Sequence, residues 1–248
     1  MFQFLGVIPA RYASTRFPGK PLALLGNKPM IQWVYEKASA VFPQLVVATD
    51  DTRIKERVEG FGGEALMTSA DHRTGTERCA EALEYFQQHR SGQITHVVNI
   101  QGDEPLLKSG HLEALSDCFQ DPETQIATLI QPLNQFEELA NPSVVKVVVD
   151  RSFKALYFSR SPIPFMRETA QDDPTLNHTF FTHIGMYAFR ADILRQLVRL
   201  PVSSLEKAES LEQLRWIEHG YTIQTRVTDQ PSMGVDTPGD LEKISKLI

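Results

Sequence analysis

The sequence predicts an α/β fold, in which a mostly parallel sheet lies between two layers of helices in a three-layer, Rossmann-like arrangement. Short apolar runs alternate with segments of helical spacing through the first half of the chain, which is the pattern of repeated β-α-β units. Motifs rich in charge and glycine come directly after the predicted strands. Ligands of open α/β sheets bind at that edge, so the fold class also predicts where the site lies.

The first half supplies four predicted strands and four predicted helices. Residues 4–8 form a continuous apolar run, typical of a parallel strand that is covered on both faces. Residues 30–40 place Ile31, Val34 and Ala38 on one helical face. The same reasoning predicts strands at 45–48, 65–67 and 97–100, and helices at 51–58, 76–88 and 109–119.

The second half is less regular. Its patterns predict strands at 144–150, 155–159, 185–189 and 222–227, and helices at 191–199, 205–219 and 240–247. The helix over 205–219 is expected to turn Leu205, Ala208, Leu211 and Leu214 inward. Because no clean linker is visible, we expect a single domain over 1–248 with an inserted, more β-rich lobe at about 130–190.

Composition narrows the classes of function. The 248 residues are 42% hydrophobic and 23% charged, with a net charge of −6, so a nucleic-acid partner is not expected. The two cysteines, Cys79 and Cys118, lack metal-ligand spacing and are expected to be buried thiols in a reducing compartment. No apolar run reaches the about 18 residues that a membrane span needs, which predicts no membrane insertion and a cytoplasmic location.

A cationic loop follows the first strand. Arg11, Arg16 and Lys20 stand within ten residues, beside Ser14 and Gly19. Arginine grips an oxyanion through two N–H groups and lysine adds a point charge, so this loop predicts a site for the phosphates of a nucleotide. A solvated basic turn is the alternative. Neither the P-loop motif nor the Rossmann glycine motif is present.

Three further motifs carry polar chemistry. Residues 71–78 place Gly75 before a helix, between threonines and flanked by Arg73 and Arg78; this predicts either a nucleotide contact at a helix N-terminus or a simple cap by Thr76 or Thr74. Residues 101–105 put Asp103 at a strand end, either as a Mg²⁺ ligand or in an acidic turn. Residues 233–240 offer Asp236 as a second ligand or as part of a helix-capping turn.

The second half offers weaker candidates. His183 and Tyr187 lie in and beside an apolar segment, so packing in the core is an alternative to ligand binding. Arg160 either binds a carboxylate or is solvated. Glu209 and Glu212 share a face at i, i+3 with Gln213 beside them, a pattern that a solvated acidic face also explains.

Taken together, the motifs resemble those of the 3-deoxy-manno-octulosonate (Kdo) cytidylyltransferase family. The resemblance covers residues 4 to about 242 with the motif spacing intact. It is carried by Ile-Pro-Ala-Arg-Tyr-Ala-Ser-Thr-Arg-Phe-Pro-Gly-Lys-Pro (8–21), Val-Ala-Thr-Asp (47–50), Asp-His-Arg-Thr-Gly-Thr-Glu-Arg (71–78), Gln-Gly-Asp-Glu-Pro (101–105), Ala-Leu-Tyr-Phe-Ser-Arg (155–160), His-Ile-Gly-Met-Tyr (183–187), Leu-Glu-Gln-Leu-Arg (211–215) and Val-Asp-Thr-Pro (235–238).

The resemblance implies a nucleotidyltransferase domain with a smaller dimerisation lobe, a homodimer, and a reaction that joins CTP and Kdo into CMP-Kdo and pyrophosphate for lipopolysaccharide. It implies catalytic roles for Arg11, Lys20, Asp103 and Asp236, with Mg²⁺ on the two aspartates. It implies CTP contacts at Pro9, Ala10, Arg11, Ser14, Lys20, Ala48, Thr49, Asp50, Arg73, Thr74, Gly75, Arg78 and Asp103. It implies sugar contacts at Gln101, Arg160, His183, Tyr187, Glu212 and Gln213.

Three alternatives stay open. A cytidylyltransferase acting on 8-amino-Kdo or a sialic acid would share the cationic loop, so the second half of the chain must discriminate between the sugars. A non-catalytic nucleotide-binding module is a different class. The pair Asp103 and Asp236 argues against it, because sensing a nucleotide needs no paired metal ligands. A phosphatase or nuclease that uses the two aspartates is the third alternative. The cationic loop argues against it, as does the lack in this sequence of the His-rich metal cluster that such enzymes favour.

Overall fold

Strands and helices alternate along the chain. The computed structural model describes residues 2–13, 17–90, 92–133, 135–167, 178–230 and 232–247. The strands are β1 Phe4–Ala10, β2 Leu24–Leu25, β3 Lys28–Pro29, β4 Leu45–Thr49, β5 Ala65–Met67, β6 His96–Asn99, β7 Ile126–Pro132, β8 Lys146–Val149, β9 Ala155–Ser159, β10 Phe181–Arg190 and β11 Ile223–Val227. The α-helices are α1 Met30–Ser39, α2 Thr52–Gly60, α3 Gly75–His89, α4 Ser109–Asp117, α5 Phe136–Ala140, α6 Ala191–Leu197, α7 Ser204–Glu209, α8 Gln213–Glu218 and α9 Pro238–Ser245.

These elements form two compact units. The first consists of Met1–Glu113, Ala188–Val198 and Ser232–Ile248, and the second of Ala114–Tyr187 and Arg199–Pro231. The second unit holds the described part of the predicted lobe at about 130–190, together with β7, β11 and the helices α7 and α8. The assignment of 1–248 to one domain stays a prediction.

The first unit is built on parallel strands in the order β6-β1-β4-β5. Leu5, Val7 and Ile8 of β1 are fully buried although neighbouring side chains of a strand point to opposite faces. Both faces of this sheet are therefore covered, and α1, α2 and α3 pack on its strands. The predicted α/β class, mostly parallel strands flanked by helices, is confirmed.

The order of the strands places the site. The chain moves outward from β1 to β4 and β5, then returns through α3 to β6 on the other side of β1. This reversal makes the carboxyl end of β1 a topological switch point, where open α/β sheets bind ligands. The segments that follow β1 and β6 approach closely there: a Cβ on Gly102 would lie 3.1 Å from the carbonyl oxygen of Pro9.

The second unit mixes strand directions. Its β7 pairs with β11 in parallel, while β8 pairs antiparallel with both β10 and β9. Asp150 closes the predicted turn between β8 and β9, because its carboxylate accepts hydrogen bonds from the backbone N–H groups of Ser152 and Lys154. In this unit, β7 and α5 were not predicted from the sequence.

The single helix predicted over 205–219 is wrong. Ser210 adopts a left-handed conformation with φ 52°, which ends α7, and α8 begins at Gln213. Ser204 Oγ and Glu218 Oε1 lie 2.8 Å apart, whereas fourteen residues of straight helix would span about 21 Å. The two short helices therefore fold back on each other, and Ala208, expected to point inward, is exposed.

Cys79 and Cys118 are both buried, as predicted. In the described part of the chain, the helices are all too short or too polar to cross a membrane.

Candidate functional site

A pocket of about 300 Å³ opens at the carboxyl ends of the strands of the first unit. Its size is in the usual range for small-ligand sites. It is lined by Pro9, Ala10, Arg11, Lys20, Pro21, His72, Arg73, Thr74, Gly75, Arg78, Gln101, Gly102, Asp103 and Asp236. The pocket therefore brings together the loops after β1 and β6, the start of α3 and the segment before α9.

The cationic loop leaves β1 at Arg11 and returns at Gly19. Gly19 has φ 72°, and its N–H donates to the carbonyl of Tyr12 at 2.9 Å. A Cβ on Gly19 would lie 3.1 Å from the Tyr12 ring. The positive φ and the close ring both favour glycine at this position. The guanidinium of Arg53 stacks on the Tyr12 ring, 3.4 Å from its centroid. These contacts fix the base of the loop; its Ser14 and Arg16 lie outside the described residues.

Lys20 connects the loop to the two predicted metal ligands. Its ammonium lies 2.6 Å from Asp103 Oδ2 and 3.7 Å from Asp236 Oδ1, and it also donates to the carbonyl of Val235 at 2.8 Å. Residues far apart in the sequence thus place two carboxylates around one cationic group.

Backbone pairing brings Asp236 to this place. The N–H of Val235 donates to the carbonyl of Asp103 at 2.9 Å. Thr237 then caps α9 in a capping box with Asp240. The helix-capping interpretation of residues 233–240 is thus confirmed, and Asp236 also lines the pocket, while its role as a metal ligand stays a prediction.

The start of α3 forms one wall of the pocket. Thr74 is the cap, in a capping box with Glu77, so the alternative cap Thr76 is wrong. Gly75 allows close packing, since a Cβ there would lie 3.2 Å from Pro9 Cγ. The N-terminal end of this 15-residue helix carries partial positive charge and faces the pocket lining of Arg73 and Thr74.

Arg78 lines the pocket and is also part of its framework. Its guanidinium donates to Asp50 Oδ2 at 2.6 Å, to Thr68 Oγ1 at 2.7 Å and to the carbonyl of Ser69 at 3.0 Å. Ala48 and Thr49, proposed by the resemblance as CTP contacts, are fully buried in β4. Neither they nor Asp50 belong to the lining of the pocket; Asp50 reaches it through Arg78.

Sequence reasoning missed three residues of the lining: Pro21, His72 and Gly102. His72 is held by a short hydrogen bond between its Nε2 and the carboxylate of Glu81 on α3. The signal was available, because His72 directly precedes the arginine and threonine of the 71–78 motif.

Glu104 lies behind Asp103 and is almost fully buried. Burial raises its pKa to about 7, the charge of Asp103 adds to the effect, and a hydrogen bond from the Ser232 hydroxyl opposes it. Of these two carboxylates, Asp103 lines the pocket and Glu104 does not. Glu104 instead stabilises the loop from its buried side through Ser232.

The second unit holds another polar group set among aromatic rings. His183 packs between Phe158 and Tyr187, with ring centroids 5.1 and 5.2 Å away, and its Nε2 lies 2.9 Å from Thr128 Oγ1. Burial lowers the pKa of His183 to about 3, so the ring is neutral at physiological pH. Tyr187 continues the cluster by contacting Trp216 at 5.0 Å.

The start of α8 lies next to these rings. Burial raises the pKa of the Tyr187 hydroxyl, and the nearby carboxylate of Glu212 raises it further. Gln213 is buried, and among the described residues its Nε2 has no hydrogen-bond acceptor. A buried amide donor without an acceptor is costly, so this nitrogen is available for a polar ligand. The structure thus brings His183, Tyr187, Glu212 and Gln213 together.

Arg160 is half-buried, and among the described residues its guanidinium contacts backbone carbonyls and no carboxylate. It donates to three backbone carbonyls: from Nε to Glu209, from Nη1 to Pro142 and from Nη2 to Ser210. Gln101, the remaining predicted sugar contact, lies in the first unit, in the pocket described above.

The donor set for a metal is small. Among the residues that the structure describes, His, Cys, Asp and Glu nowhere form a group of three or more that could hold an ion. The pair Asp103 and Asp236 offers two carboxylates. This suits Mg²⁺, which typically takes one or two protein carboxylates and completes its shell with phosphate oxygens and water.

Known proteins match this chain over nearly its whole length. The model of a family described as cytidylyltransferase matches residues 5–225. The 3-deoxy-manno-octulosonate cytidylyltransferase of Phocaeicola vulgatus is 52% identical over 97% of this chain and 95% of its own length. The enzyme of the same name from Bacteroides thetaiotaomicron is 50% identical over 99% of this chain and 98% of its own length.

Solved structures of cytidylyltransferases are also similar to this chain. A CMP:2-keto-3-deoxy-manno-octonic acid synthetase complexed with CTP superposes with a TM-score of 0.90 at 42% identity, covering 99% of this chain and 98% of the other. A cytidylyltransferase from Leptospira borgpetersenii has a TM-score of 0.63 at 18% identity, covering 99% of this chain and 86% of the other. This second likeness concerns the fold alone.

Proposed function

This chain belongs to the 3-deoxy-manno-octulosonate cytidylyltransferase family, and we propose that it transfers CMP from CTP to Kdo and releases pyrophosphate. The observation that carries this function is the pocket in the first unit. There Arg11, Lys20, Arg73 and Arg78 bring positive charge around the two carboxylates. An anionic nucleotide and a metal ion both require such mixed charge.

CTP is assigned to this pocket. Arg11 and Lys20, with Ser14 from the same loop, would hold the phosphates, and their charge would stabilise the departing pyrophosphate. The cytidine would lie along the start of α3, where Thr74 and Gly75 present polar backbone and a helix N-terminus. Lys20 exchanges its contact with Asp103 for a phosphate oxygen in this arrangement.

Asp103 and Asp236 are assigned to Mg²⁺. They fit it because their carboxylates already converge on the ammonium of Lys20, so the place between them accepts a cation. When bound, the ion would neutralise phosphate charge and lower the pKa of the attacking hydroxyl.

The chemistry is an in-line displacement at the α-phosphorus. The anomeric hydroxyl of the sugar acid loses its proton to solvent and forms the new P–O bond, while the bond to pyrophosphate breaks and pyrophosphate leaves. The protein forms no covalent bond, so its own residues act by position and by charge. Arg11 and Lys20 would neutralise the leaving group, and Asp103 would act with Asp236 by holding the metal ion.

Recognition of the sugar is assigned to Gln101 and to the second unit. Gln213 offers a buried donor, neutral His183 and Tyr187 offer ring surfaces with polar atoms, and Glu212 an acceptor. Arg160 is proposed to bind the carboxylate of the sugar acid, since two of its N–H groups remain after the three carbonyl contacts that it makes within the described residues.

The biological setting is part of the same proposal. CMP-Kdo is an activated sugar for lipopolysaccharide, which places the enzyme in the cytoplasm of a Gram-negative-type cell. A homodimer is supported by the β8–β9 hairpin, on which Leu156 is 56% exposed. Light scattering of the purified chain tests it.

Pyrophosphate release tests the function directly. The purified chain is incubated with CTP and Mg²⁺, with Kdo, 8-amino-Kdo or N-acetylneuraminate in parallel reactions. Of the three sugars, we expect only Kdo to give pyrophosphate release. EDTA is expected to abolish this release, because the two carboxylates need the ion to bind phosphate. Preference for another sugar would contradict the Kdo assignment and keep the chemistry. CTP binding without release in any reaction would support the non-catalytic module.

His183→Ala is expected to raise KM for Kdo more than KM for CTP. The change removes a neutral ring that contacts Tyr187 and Thr128, all in the second unit, and leaves the CTP pocket of the first unit unaltered. Steady-state kinetics with each substrate varied in turn measure both constants. His219→Ala, at an exposed histidine of the same unit, is the control. Equal increases in both constants would assign His183 to packing.

A further inference from the structure

Lys146 is a fully buried lysine that the proposed chemistry does not use. It lies at the start of β8, and its side chain has no exposed surface. Its ammonium donates to three backbone carbonyls, those of Asn141 at 2.9 Å, Val144 at 2.8 Å and Arg160 at 2.5 Å. All three ammonium N–H groups are thereby used. Burial of a charge costs several kcal/mol, and an apolar side chain would fill the same space, so packing alone does not call for a lysine.

The three carbonyls surround the backbone that carries Arg160. One belongs to Arg160 itself. The other two flank Pro142, whose own carbonyl accepts a hydrogen bond from Arg160 Nη1 at 2.9 Å. Lys146 therefore ties the segment that bears the guanidinium to the segment that orients it.

Glu209 holds the other side of Arg160. Its carboxylate accepts from the Arg160 backbone N–H at 2.8 Å and from the Ser159 hydroxyl at 2.6 Å, and its carbonyl accepts from Nε at 2.7 Å. The carbonyl of Ser210 accepts from Nη2 at 3.3 Å. The guanidinium is thus held from both sides.

The remaining donors of Arg160 form a fork. A guanidinium has five N–H groups, and Nε, Nη1 and Nη2 each give one to a carbonyl. Among the described residues, one N–H on each terminal nitrogen remains without an acceptor. Two parallel donors of this kind match the two oxygens of a carboxylate, and their direction is set by the carbonyls that hold the other three.

We propose that Lys146 is a positioning residue of the transfer reaction: through the carbonyls of Asn141, Val144 and Arg160 it aims the guanidinium fork of Arg160 at the carboxylate of the sugar acid. The proposal rests on the function proposed above, in which Arg160 binds that carboxylate. Lys146 itself does not touch substrate. It keeps a flexible side chain in one orientation, and loss of that orientation weakens recognition of the carboxylate and leaves CTP unaffected.

The test is Lys146→Met, which keeps the length of the side chain and removes the charge and its three donors. We expect KM for Kdo to rise on the order of 10-fold and KM for CTP to change less than about 2-fold. Lys207→Met, on the exposed side of α7, is the matched control and leaves both constants unchanged. Lys146→Arg keeps a positive charge with several N–H donors. Its KM for Kdo is expected to lie between those of the wild type and Lys146→Met.

A second readout separates positioning from stability. The wild-type chain is expected to prefer Kdo to its carboxamide, which lacks the second carboxylate oxygen, and Lys146→Met is expected to reduce this preference. A change in melting temperature alone does not alter that ratio. Should Lys146→Met fail to fold, Lys146→Gln keeps a polar amide with two N–H donors at the buried position, removes the charge, and is expected to reduce the same preference to a smaller degree.

Two results overturn the proposal. Equal rises in KM for Kdo and for CTP, with an unchanged preference for the acid over the carboxamide, assign Lys146 to folding alone. Absence of pyrophosphate release by the wild-type chain with every sugar acid overturns the proposed function and this inference together. Activity of the wild type on a different sugar acid overturns only the Kdo assignment, and the same comparison is then made with that sugar and its carboxamide.

Discussion

Asp103→Asn is expected to lower kcat by about 100-fold or more, the scale of losing one electrostatic stabiliser of a transition state. The side chain keeps its shape and loses its charge. The charge matters because Asp103 Oδ2 lies 2.6 Å from the ammonium of Lys20, in the place assigned to the metal. An amide oxygen binds a divalent cation far more weakly than a carboxylate, so the dependence on Mg²⁺ is expected to move to higher concentration.

The measurement is pyrophosphate release at several Mg²⁺ concentrations, with thermal unfolding beside it to show that the variant folds. Asp229→Asn, at an exposed aspartate of the second unit, is the matched control. Asp236→Asn is expected to show the same shift in Mg²⁺ dependence to a smaller degree, because its carboxylate lies farther from Lys20, at 3.7 Å. Turnover of Asp103→Asn within 3-fold of wild type would remove Asp103 from the metal site.

The pocket was predictable from sequence because its residues follow directly after strands. An apolar run that ends at residue 8, another that ends at residue 100 and a cap at Thr74 are local patterns, and parallel pairing brings their ends to one edge. The contact between Lys20 and Asp103 was not predictable. From the sequence, Lys20 was assigned to phosphate and Asp103 to the metal. Only the fold shows that the Lys20 ammonium lies against Asp103, in the place proposed for the metal ion.

Tertiary contacts decided the elements that the sequence analysis got wrong. Nothing between residues 205 and 219 signals a helix end, since the segment has no proline and its first glycine is Gly220. The break at Ser210 lets Arg215 reach Glu206, with which it forms a mostly buried ion pair. Nine residues of continuous helix would put these two side chains on opposite faces. A long-range ion pair of this kind overrides helix propensity and leaves no local pattern.

The same limit applies to the second group of site residues. His183 and Arg160 were open between ligand binding and packing, and sequence alone gave no reason to choose. The structure shows that the guanidinium of Arg160 is held by backbone carbonyls from two segments, one near residue 142 and one near residue 210. Such carbonyl contacts carry no side-chain signature. For this reason Lys146, which holds the same backbone, was not a candidate at all.

Arg78→Met is expected to lower the free energy of unfolding by about 3 kcal/mol, the lower end of the cost of breaking a buried ion pair. Arg78 is almost fully buried, and its guanidinium joins the end of β4 at Asp50 to Thr68 and Ser69 beside the start of α3. The change leaves Asp50 without its partner. Water reaches part of that carboxylate, whose side chain is 21% exposed, which is why the lower end of the range applies.

Urea denaturation measures the loss as a lower midpoint with an unchanged slope. Arg57→Met, at an exposed arginine of α2, is the control and is expected to stay within 0.5 kcal/mol of wild type. Adding Asp50→Asn to Arg78→Met is expected to recover part of the stability, because the pair no longer leaves a charge unpaired. Unchanged stability in Arg78→Met would show that the three contacts carry no net energy.

The same variant separates framework from substrate contact. Within the part of the chain that the structure describes, Arg78 uses three of its five N–H groups, so two remain for the nucleotide that the pocket is proposed to bind. Arg78→Lys keeps the charge and loses the fork that joins three partners. If Arg78 acts mainly as framework, stability falls in both variants while KM for CTP rises only in proportion to the unfolded fraction. A larger rise in KM for CTP at a temperature where both variants are folded would give Arg78 a direct contact with the nucleotide as well.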